Sequence, residues 1–469
     1  MTPVLALVGR PNVGKSTLFN RLTRTRDALV ANQPGLTRDR QYGQTKMGPT
    51  PAIVIDTAGI TGGEEGIDAA MAEQSWTAVL ECDECLFMVD AKEGLSPIDL
   101  ELAQRLRREG KNVHVVVNKI DRVNMDVLEA EFSEMGFSSM YHIAASHGRG
   151  VSAMIQSILE SYVQPVSDDA DGEAEQEDKG IKVAVVGRPN VGKSTLINRF
   201  LGEDRVVTFD APGTTRDSIY LPYESKGQRF TLIDTAGVRR RGKVKATVEK
   251  FSVVKSLQAM NDAHVVILVV DAREGIVDQD LHLLKYCLDV GRALVIAVNK
   301  WDGMTPDQRD TVKQTLGRRL NFIDWADIHF ISALHGTGVG HLQQSVKVAF
   351  ASATIKPASN ALTQLLEAAV MAHQPPLVKG RRIKLRYAHL GGSCPPRIVI
   401  HGNQTSEVPG AYTKYLQNYF IAQLKLKGTP IFIEYRTGSN PFEGKKNNLT
   451  PRQQRKRQRM MKFYKSKGK

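Results

Sequence analysis

Gly9-Arg10-Pro11-Asn12-Val13-Gly14-Lys15-Ser16-Thr17-Leu18 returns letter for letter as Gly187-Arg188-Pro189-Asn190-Val191-Gly192-Lys193-Ser194-Thr195-Leu196, 178 residues further on. Each copy is a Gly-x4-Gly-Lys-Ser loop behind an apolar run. Glycines there let backbone N–H groups close on a phosphate, the lysine reaches the β and γ phosphates, and the serine hydroxyl ligates Mg²⁺. Asp56-Thr57-Ala58-Gly59-Ile60 and Asp234-Thr235-Ala236-Gly237-Val238 keep the 178-residue offset, as do the Pro-Gly-x-Thr-Arg-Asp segments starting at Pro34 and Pro212. Asn118-Lys119-Ile120-Asp121 and Asn299-Lys300-Trp301-Asp302 follow 181 residues apart. Constant order and near-constant spacing mean a duplicated domain. A solenoid would repeat every 20 to 50 residues or so.

The apolar runs fit that duplication. Val4–Val8 and Val183–Val186 lead into the two phosphate loops. Ala52–Ile55 and Phe230–Ile233 lead into the Asp-Thr-Ala-Gly turns. Leu86–Val89, Val113–Val117, Val265–Val270 and Leu294–Val298 end in acidic or Asn-Lys turns. Unbroken apolar strands alternating with helical stretches predict an α/β fold, its mostly parallel sheet covered by helices on both faces.

The motifs imply a nucleotide and its base. The carboxylate of Asp56 or Asp234 can hold Mg²⁺ through water, and the N–H of Gly59 or Gly237 can meet the γ-phosphate and register its loss. Guanine presents two adjacent donors, N1–H and N2–H₂, and one carboxylate, Asp121 or Asp302, can accept both. Adenine would turn an acceptor toward that carboxylate, leaving it unpaired. Thr37 and Thr215 are placed to complete the Mg²⁺ shell. Lys15, Thr37 and Gly59, with Lys193, Thr215 and Gly237, are therefore the expected catalytic groups.

Hydrolysis is harder to read. Ile60 and Val238 stand where a water-orienting glutamine is usual, so turnover should be slow or need another charge. Arg38 and Arg216 are candidates for it; so is a K⁺ ion held by Asn12 and Asn190. The last base-side loop reads Ile331-Ser332-Ala333 in one copy and Ile143-Ala144-Ala145 in the other, so one capping hydroxyl is missing. After the second Asp-Thr-Ala-Gly comes Arg239-Arg240-Arg241-Gly242-Lys243-Val244-Lys245; the first has Thr61-Gly62-Gly63-Glu64-Glu65.

Composition bounds the rest. A chain of 469 residues, 41% hydrophobic and 24% charged, suggests about three soluble domains. The opening residues lack a signal-peptide pattern, and no apolar stretch nears the roughly 18 residues of a spanning helix. A cytoplasmic, non-membrane protein is expected. Cys82 and Cys85 form a C-x-x-C without further ligands nearby, and with Cys287 and Cys394 they read as unpaired thiols. Net charge is +13, yet residues 356–469 carry 22 Lys+Arg against 4 Asp+Glu, leaving −5 on the first 355. That asymmetry points to a polyanionic partner such as nucleic acid.

Tandem phosphate loops, Thr-Arg-Asp and a basic C-terminal module together resemble the EngA/Der family of bacterial GTPases over essentially the whole chain. The resemblance implies a role in assembling the large ribosomal subunit, through rRNA, with a KH-like third domain packed between the two GTPase domains. It departs at Ala144 and at Leu36, where the second copy has Thr214. The C-terminal residues themselves predict a helix over Ala361–Ala372, strands over Arg382–Ala388 and Arg397–His401, a helix over Tyr412–Lys427 and a strand over Ile431–Tyr435. That α-β-β-α-β order suits a KH-like α+β fold, although no Gly-x-x-Gly clamp for single-stranded RNA is present. The expected division is 1–165 and 181–355 for the GTPase domains, 166–180 for an acidic linker, 356–440 for the KH-like domain and 441–469 for a basic tail. A monomer is expected.

Overall fold

The computed structural model describes residues 2–23, 29–30, 41–57, 75–121, 125–163, 180–203, 205–206, 219–225, 227–234, 253–378 and 381–437. Thr37, Arg38, Ala58, Gly59, Ile60, Thr215, Arg216, Thr235, Ala236, Gly237, Val238, the Arg239–Lys245 run, the acidic linker up to residue 179 and the basic tail lie outside those residues.

The first copy runs β1 (Val4–Val8), α1 (Lys15–Thr23), β2 (Leu29–Val30), β3 (Gln41–Gln44), β4 (Ile53–Asp56), α2 (75–81), β5 (Glu84–Asp90), α3 (Pro97–Arg108), β6 (Asn112–Asn118), α4 (Met125–Ser133), β7 (Ser139–Ile143) and α5 (Val151–Leu159). The second repeats it: β8 (Ile181–Val186), α6 (Lys193–Glu203), β9 (Arg205–Val206), β10 (Ile219–Ser225), β11 (Gln228–Asp234), α7 (Val253–Asp262), β12 (Val265–Asp271), α8 (Asp278–Val290), β13 (Ala293–Asn299), α9 (Pro306–Arg319), β14 (Asp327–Phe330) and α10 (Val339–Ala353).

Each copy forms a seven-stranded sheet, ordered β2-β3-β4-β1-β5-β6-β7 in one and β9-β10-β11-β8-β12-β13-β14 in the other. The strands from β4 to β7 and from β11 to β14 are parallel to their neighbours. Every residue of β1, β5, β12 and β13 is buried, as a strand covered on both faces requires. Toward one end each sheet turns antiparallel, within the mostly parallel expectation. β3 runs antiparallel to β4, and β10 antiparallel to β11. β3, Gln41-Tyr42-Gly43-Gln44, is the second strand from that end, with the two-residue β2 outside it, and its two central residues are buried.

The C-terminal residues give α11 (Ser359–Ala372), β15 (Leu377–Val378), β16 (Arg381–Arg382), β17 (Lys384–Gly392), β18 (Arg397–Asn403), α12 (Gly410–Gln423) and β19 (Phe432–Thr437). β17, β18 and β19 form a three-stranded sheet in that order, and β15 pairs antiparallel with β16. The predicted α-β-β-α-β order is present, with the short β15–β16 pair added. The chain as a whole divides into two compact units. One comprises Met1–Lys356, Gly391–Arg397 and Gln417–Phe432; the other comprises Pro357–Leu390, Ile398–Leu416 and the residues from Ile433.

The four cysteines are free, three of them buried. No group of three or more His, Cys, Asp or Glu among the described residues is arranged to hold a metal. No helix among them is long and apolar enough to cross a membrane.

Candidate nucleotide site

The phosphate loop is shaped by backbone that only certain residues tolerate. Gly9 has φ +147°, and a Cβ there would lie 2.3 Å from the Met88 carbonyl oxygen; Gly14 has φ +101°, and a Cβ would lie 2.3 Å from Asn118 Nδ2. Gly187 and Gly192 repeat both, against the Val269 carbonyl at 2.4 Å and Asn299 Nδ2 at 2.2 Å. Only glycine fits such positions without strain. Between them Asn12 and Asn190 take the left-handed region, at φ 64° and 63°. Lys119 and Lys300 also do, at 66° and 62°. Asparagine adopts that conformation readily and lysine does not, so the strain falls in the same place in both copies.

The lysine of each loop folds back over it. Lys15 Nζ donates to the Gly9 carbonyl at 2.9 Å and the Arg10 carbonyl at 2.7 Å; Lys193 Nζ donates to the Arg188 carbonyl at 2.6 Å. Burial pushes the Lys15 amine down to about 8, against the pull of Asp56. An ammonium held this way, beside a carboxylate, is ready to exchange carbonyls for phosphate oxygens. Burial also raises the Asp56 carboxyl, opposed by its hydrogen bond from Ser16 and the charge of Lys15. Asp56 Oδ1 is buried without a hydrogen-bond partner. A hydroxyl, a carboxylate and an unsatisfied buried oxygen are the donor set that a hard cation takes. Thr57 closes the turn by donating Oγ to the Leu7 carbonyl at 2.6 Å. In the second copy, Ser194 opens α6 and Asp234 ends β11.

The side chain of Arg10 turns away from the loop. Its Nε meets Asp99 at 2.8 Å and its Nη1 meets Glu93 at 3.0 Å. Arg188 meets Asp280 at 3.0 Å and Glu274 at 2.5 Å. Asp99 also accepts from the Ser96 backbone and hydroxyl in the capping box of α3, and Asp280 from the Val277 N–H at the start of α8. One carboxylate thus caps a helix and fixes the phosphate loop. Pro11, Pro189, Val13 and Val191 complete the loops, the two valines buried beneath them.

The base side is equally duplicated. Asn118 donates Nδ2 to the Val13 carbonyl at 2.8 Å and accepts the Ala145 N–H at 3.0 Å. Asn299 donates to the Val191 carbonyl at 2.8 Å and accepts the Ala333 N–H at 2.9 Å. Each asparagine ties the phosphate loop to the last base loop. Lys119 pairs with the buried Asp90, and Lys300 with the buried Asp271, both at 2.5 Å. These aspartates escaped the motif reading, because the partnership joins strand ends distant in sequence. An acidic residue closing each apolar run was the available signal. Asp121 and Asp302 remain open to solvent, with side chains 38% and 34% exposed, free to take a ligand's donors. Lys92, His147 and Arg149 line a pocket with Asp121. Ile120 is buried under the first site; Trp301 packs on Phe330 at 4.3 Å under the second.

One difference between the copies falls beside the open carboxylate. Ser332 hydrogen-bonds Asp302 and, with further help from His335 and Arg273, holds its carboxyl below the usual range. Ala144, paired with Arg149 in the bridge that matches Ser332 with Thr337, has no hydroxyl to offer Asp121.

Two guanine-type base loops, each joined to a phosphate loop at the mouth of a doubly covered parallel sheet, define a tandem P-loop GTPase. Comparison with known proteins agrees. The family model described as 50S ribosome-binding GTPase matches residues 4–119 and again 182–300. The model for the KH-domain-like C-terminal part of EngA bacterial GTPases matches residues 356–436. GTPase Der from Hahella chejuensis is 60% identical over 465 residues, covering 99% of this chain and 98% of that one. GTPase Der from Teredinibacter turnerae is 59% identical over 468 residues, covering 100% of both. Among solved structures, Era in complex with MgGDPNP and part of 16S ribosomal RNA is 25% identical with a TM-score of 0.31, covering 48% of this chain and 72% of that one; so distant a likeness carries no argument. The chain belongs to the EngA/Der family of GTPases, and its activity is GTP hydrolysis.

Proposed function

We propose that this GTPase is a nucleotide-controlled switch in the assembly of the large ribosomal subunit, binding rRNA or the particle according to which nucleotide its two sites hold. The observation that carries this is the pairing of two guanine-nucleotide cradles with a C-terminal quarter whose charge is +18. The description of the matched family, which names 50S ribosome binding, supports it. The working division is that of the sequence: GTPase domains at 1–165 and 181–355, an acidic linker at 166–180, a KH-like domain at 356–440 and a basic tail at 441–469, acting as a cytoplasmic monomer.

Within each site, the P-loop amides and Lys15 or Lys193 hold the β and γ phosphates, and Asp121 or Asp302 accepts the two guanine donors. Ser16, Asp56 and Thr37, with Ser194, Asp234 and Thr215, would hold Mg²⁺, which when bound offsets the charge spread over the phosphate oxygens. Gly59 and Gly237 register the γ-phosphate through their N–H groups. Neither Ile60 nor Val238 can orient the attacking water. Asn12 and Asn190 are exposed on left-handed backbone, and their side-chain oxygens would ligate K⁺ beside the phosphates. Turnover should then be faster in K⁺ than in Na⁺ at equal ionic strength; equal rates would remove the ion from the scheme.

The decisive experiment is co-sedimentation with purified large and small ribosomal particles, with GDP and with a non-hydrolysable GTP analogue. Nucleotide-dependent association with the large particle is expected. Absence of binding in every nucleotide state would overturn the switch reading while leaving the GTPase intact.

A further inference from the structure

Arg21 and Arg199 each stand six residues after the phosphate lysine, on α1 and α6, the helices that the phosphate loops open. Both side chains reach across to the last base loop. Arg21 Nε donates to the Ala145 carbonyl at 2.5 Å and its Nη2 to the Ser146 carbonyl at 2.5 Å, across 124 and 125 residues of chain. Arg199 Nε donates to the Ala333 carbonyl at 3.4 Å and its Nη2 to the Leu334 carbonyl. In both copies a planar fork grips two successive carbonyls of the last base loop, which fixes two peptide planes at once. Gly148, at φ +81°, allows the close approach in the first copy, since a Cβ there would lie 2.5 Å from Arg21 Nη1.

The other hydrogen bonds of the loop show what this grip controls. The Ala145 N–H goes to Asn118, and the N–H groups of His147 and Gly148 go to the Ala144 carbonyl. In the second copy the Ala333 N–H goes to Asn299, the His335 N–H to Ser332 Oγ and the Gly336 N–H to the Ser332 carbonyl. Among the described residues no protein acceptor takes the N–H of Ser146 or of Leu334. Each is a donor without an acceptor in its loop, and its own peptide, whose carbonyl is that of Ala145 or Ala333, is oriented by the arginine.

We infer that Arg21 and Arg199 are positioning residues for guanine: by clamping the carbonyls of Ala145–Ser146 and Ala333–Leu334 they hold the Ser146 and Leu334 N–H groups ready for the 6-oxo oxygen of the base. One rigid helix thereby sets the base loop relative to the phosphate loop, about 9 Å along its axis from lysine to arginine. This rests on the guanine-nucleotide reading of the sites.

The test uses the full-length chain with Arg21→Met and Arg199→Met combined, and the matching Lys pair as the conservative variant. GDP is compared with 2-aminopurine riboside 5′-diphosphate, which keeps the diphosphate and the 2-amino group but lacks both the 6-oxo group and the N1–H; every chain loses the N1–H contact alike, so each variant is read against the wild type with the same nucleotide. The Met pair should bind GDP about tenfold more weakly, the loss of one charge-assisted hydrogen bond. The Lys pair should fall between it and the wild type. Both should bind the 2-aminopurine nucleotide as the wild type does and keep kcat at saturating GTP within about twofold, since the reacting phosphate is untouched. Equal weakening toward both nucleotides would overturn the inference in favour of a general structural role, and unchanged GDP affinity would overturn it outright. Should the Met pair melt early, the Lys pair carries the same comparison. Failure of the underlying reading shows separately, as a wild-type chain that binds GDP no better than ADP.

Discussion

At the residue scale the two sites are copies with one informative exception. The Ser332 hydroxyl supports the ionised Asp302, the proposed acceptor of both guanine donors, and Ala144 has no hydroxyl to give Asp121 the same support. A hydrogen bond to a charged acceptor contributes about 1.5 kcal/mol, discounted here because Asp302 lies near solvent. Ser332→Ala should therefore release GDP about threefold to tenfold faster from the second site, and Ala144→Ser should slow release from the first. Stopped-flow displacement of a fluorescent GDP reads both; a second site indifferent to Ser332→Ala would dismiss the hydroxyl as a determinant. This asymmetry was legible in the sequence, because aligning the repeats sets Ala against Ser. Asp90 and Asp271 were not, since an aspartate at a strand end acquires meaning only when folding brings Lys119 or Lys300 to it.

Elements were legible where burial dictated composition. β5, β6, β12 and β13 are apolar runs because helices cover both faces of the sheet. The antiparallel strands near the sheet edge were missed: β3 is Gln41-Tyr42-Gly43-Gln44 and alternates too briefly to register as a strand. That edge joins the two copies, for Gln44 Nε2 donates to Asn261 Oδ1 at 2.7 Å on α7. Asn261 is 6% exposed and spends its amide on Tyr286 Oη at 2.7 Å and the Leu257 carbonyl at 3.0 Å. Tyr286 is wholly buried on α8, and burial pushes its hydroxyl far above the ordinary tyrosine range. Asn261→Ala would leave that hydroxyl without its donor, a loss of about 1 to 3 kcal/mol. Thermal unfolding should shift down by about 2 to 8 °C. Tyr286→Phe in the Asn261→Ala background should then add almost nothing, as two residues sharing one interaction do not sum. Strict additivity in that cycle would show the pair to be independent.

For the whole molecule, charge says where the polyanion is met. The first 355 residues are mildly acidic, and 11 of the 22 Lys+Arg beyond them fall in residues 445–469, which contain no Asp or Glu. The GTPase sites and the cationic run thus belong to different parts of the chain, and cutting after Gly444 should separate their effects. Phosphate contacts release counterions, so each lost contact reduces the slope of log affinity against log salt by about 0.7 to 0.9. If about half of those 11 cations meet rRNA phosphates, the slope should fall by about 4. Particle binding should weaken most at low salt and converge toward that of the full chain as salt rises. Intrinsic GTP hydrolysis should stay near normal, since no residue of either cradle is removed. A truncated chain whose binding kept the full salt slope would move the polyanion contact off the tail and onto the basic residues between Lys356 and Arg436.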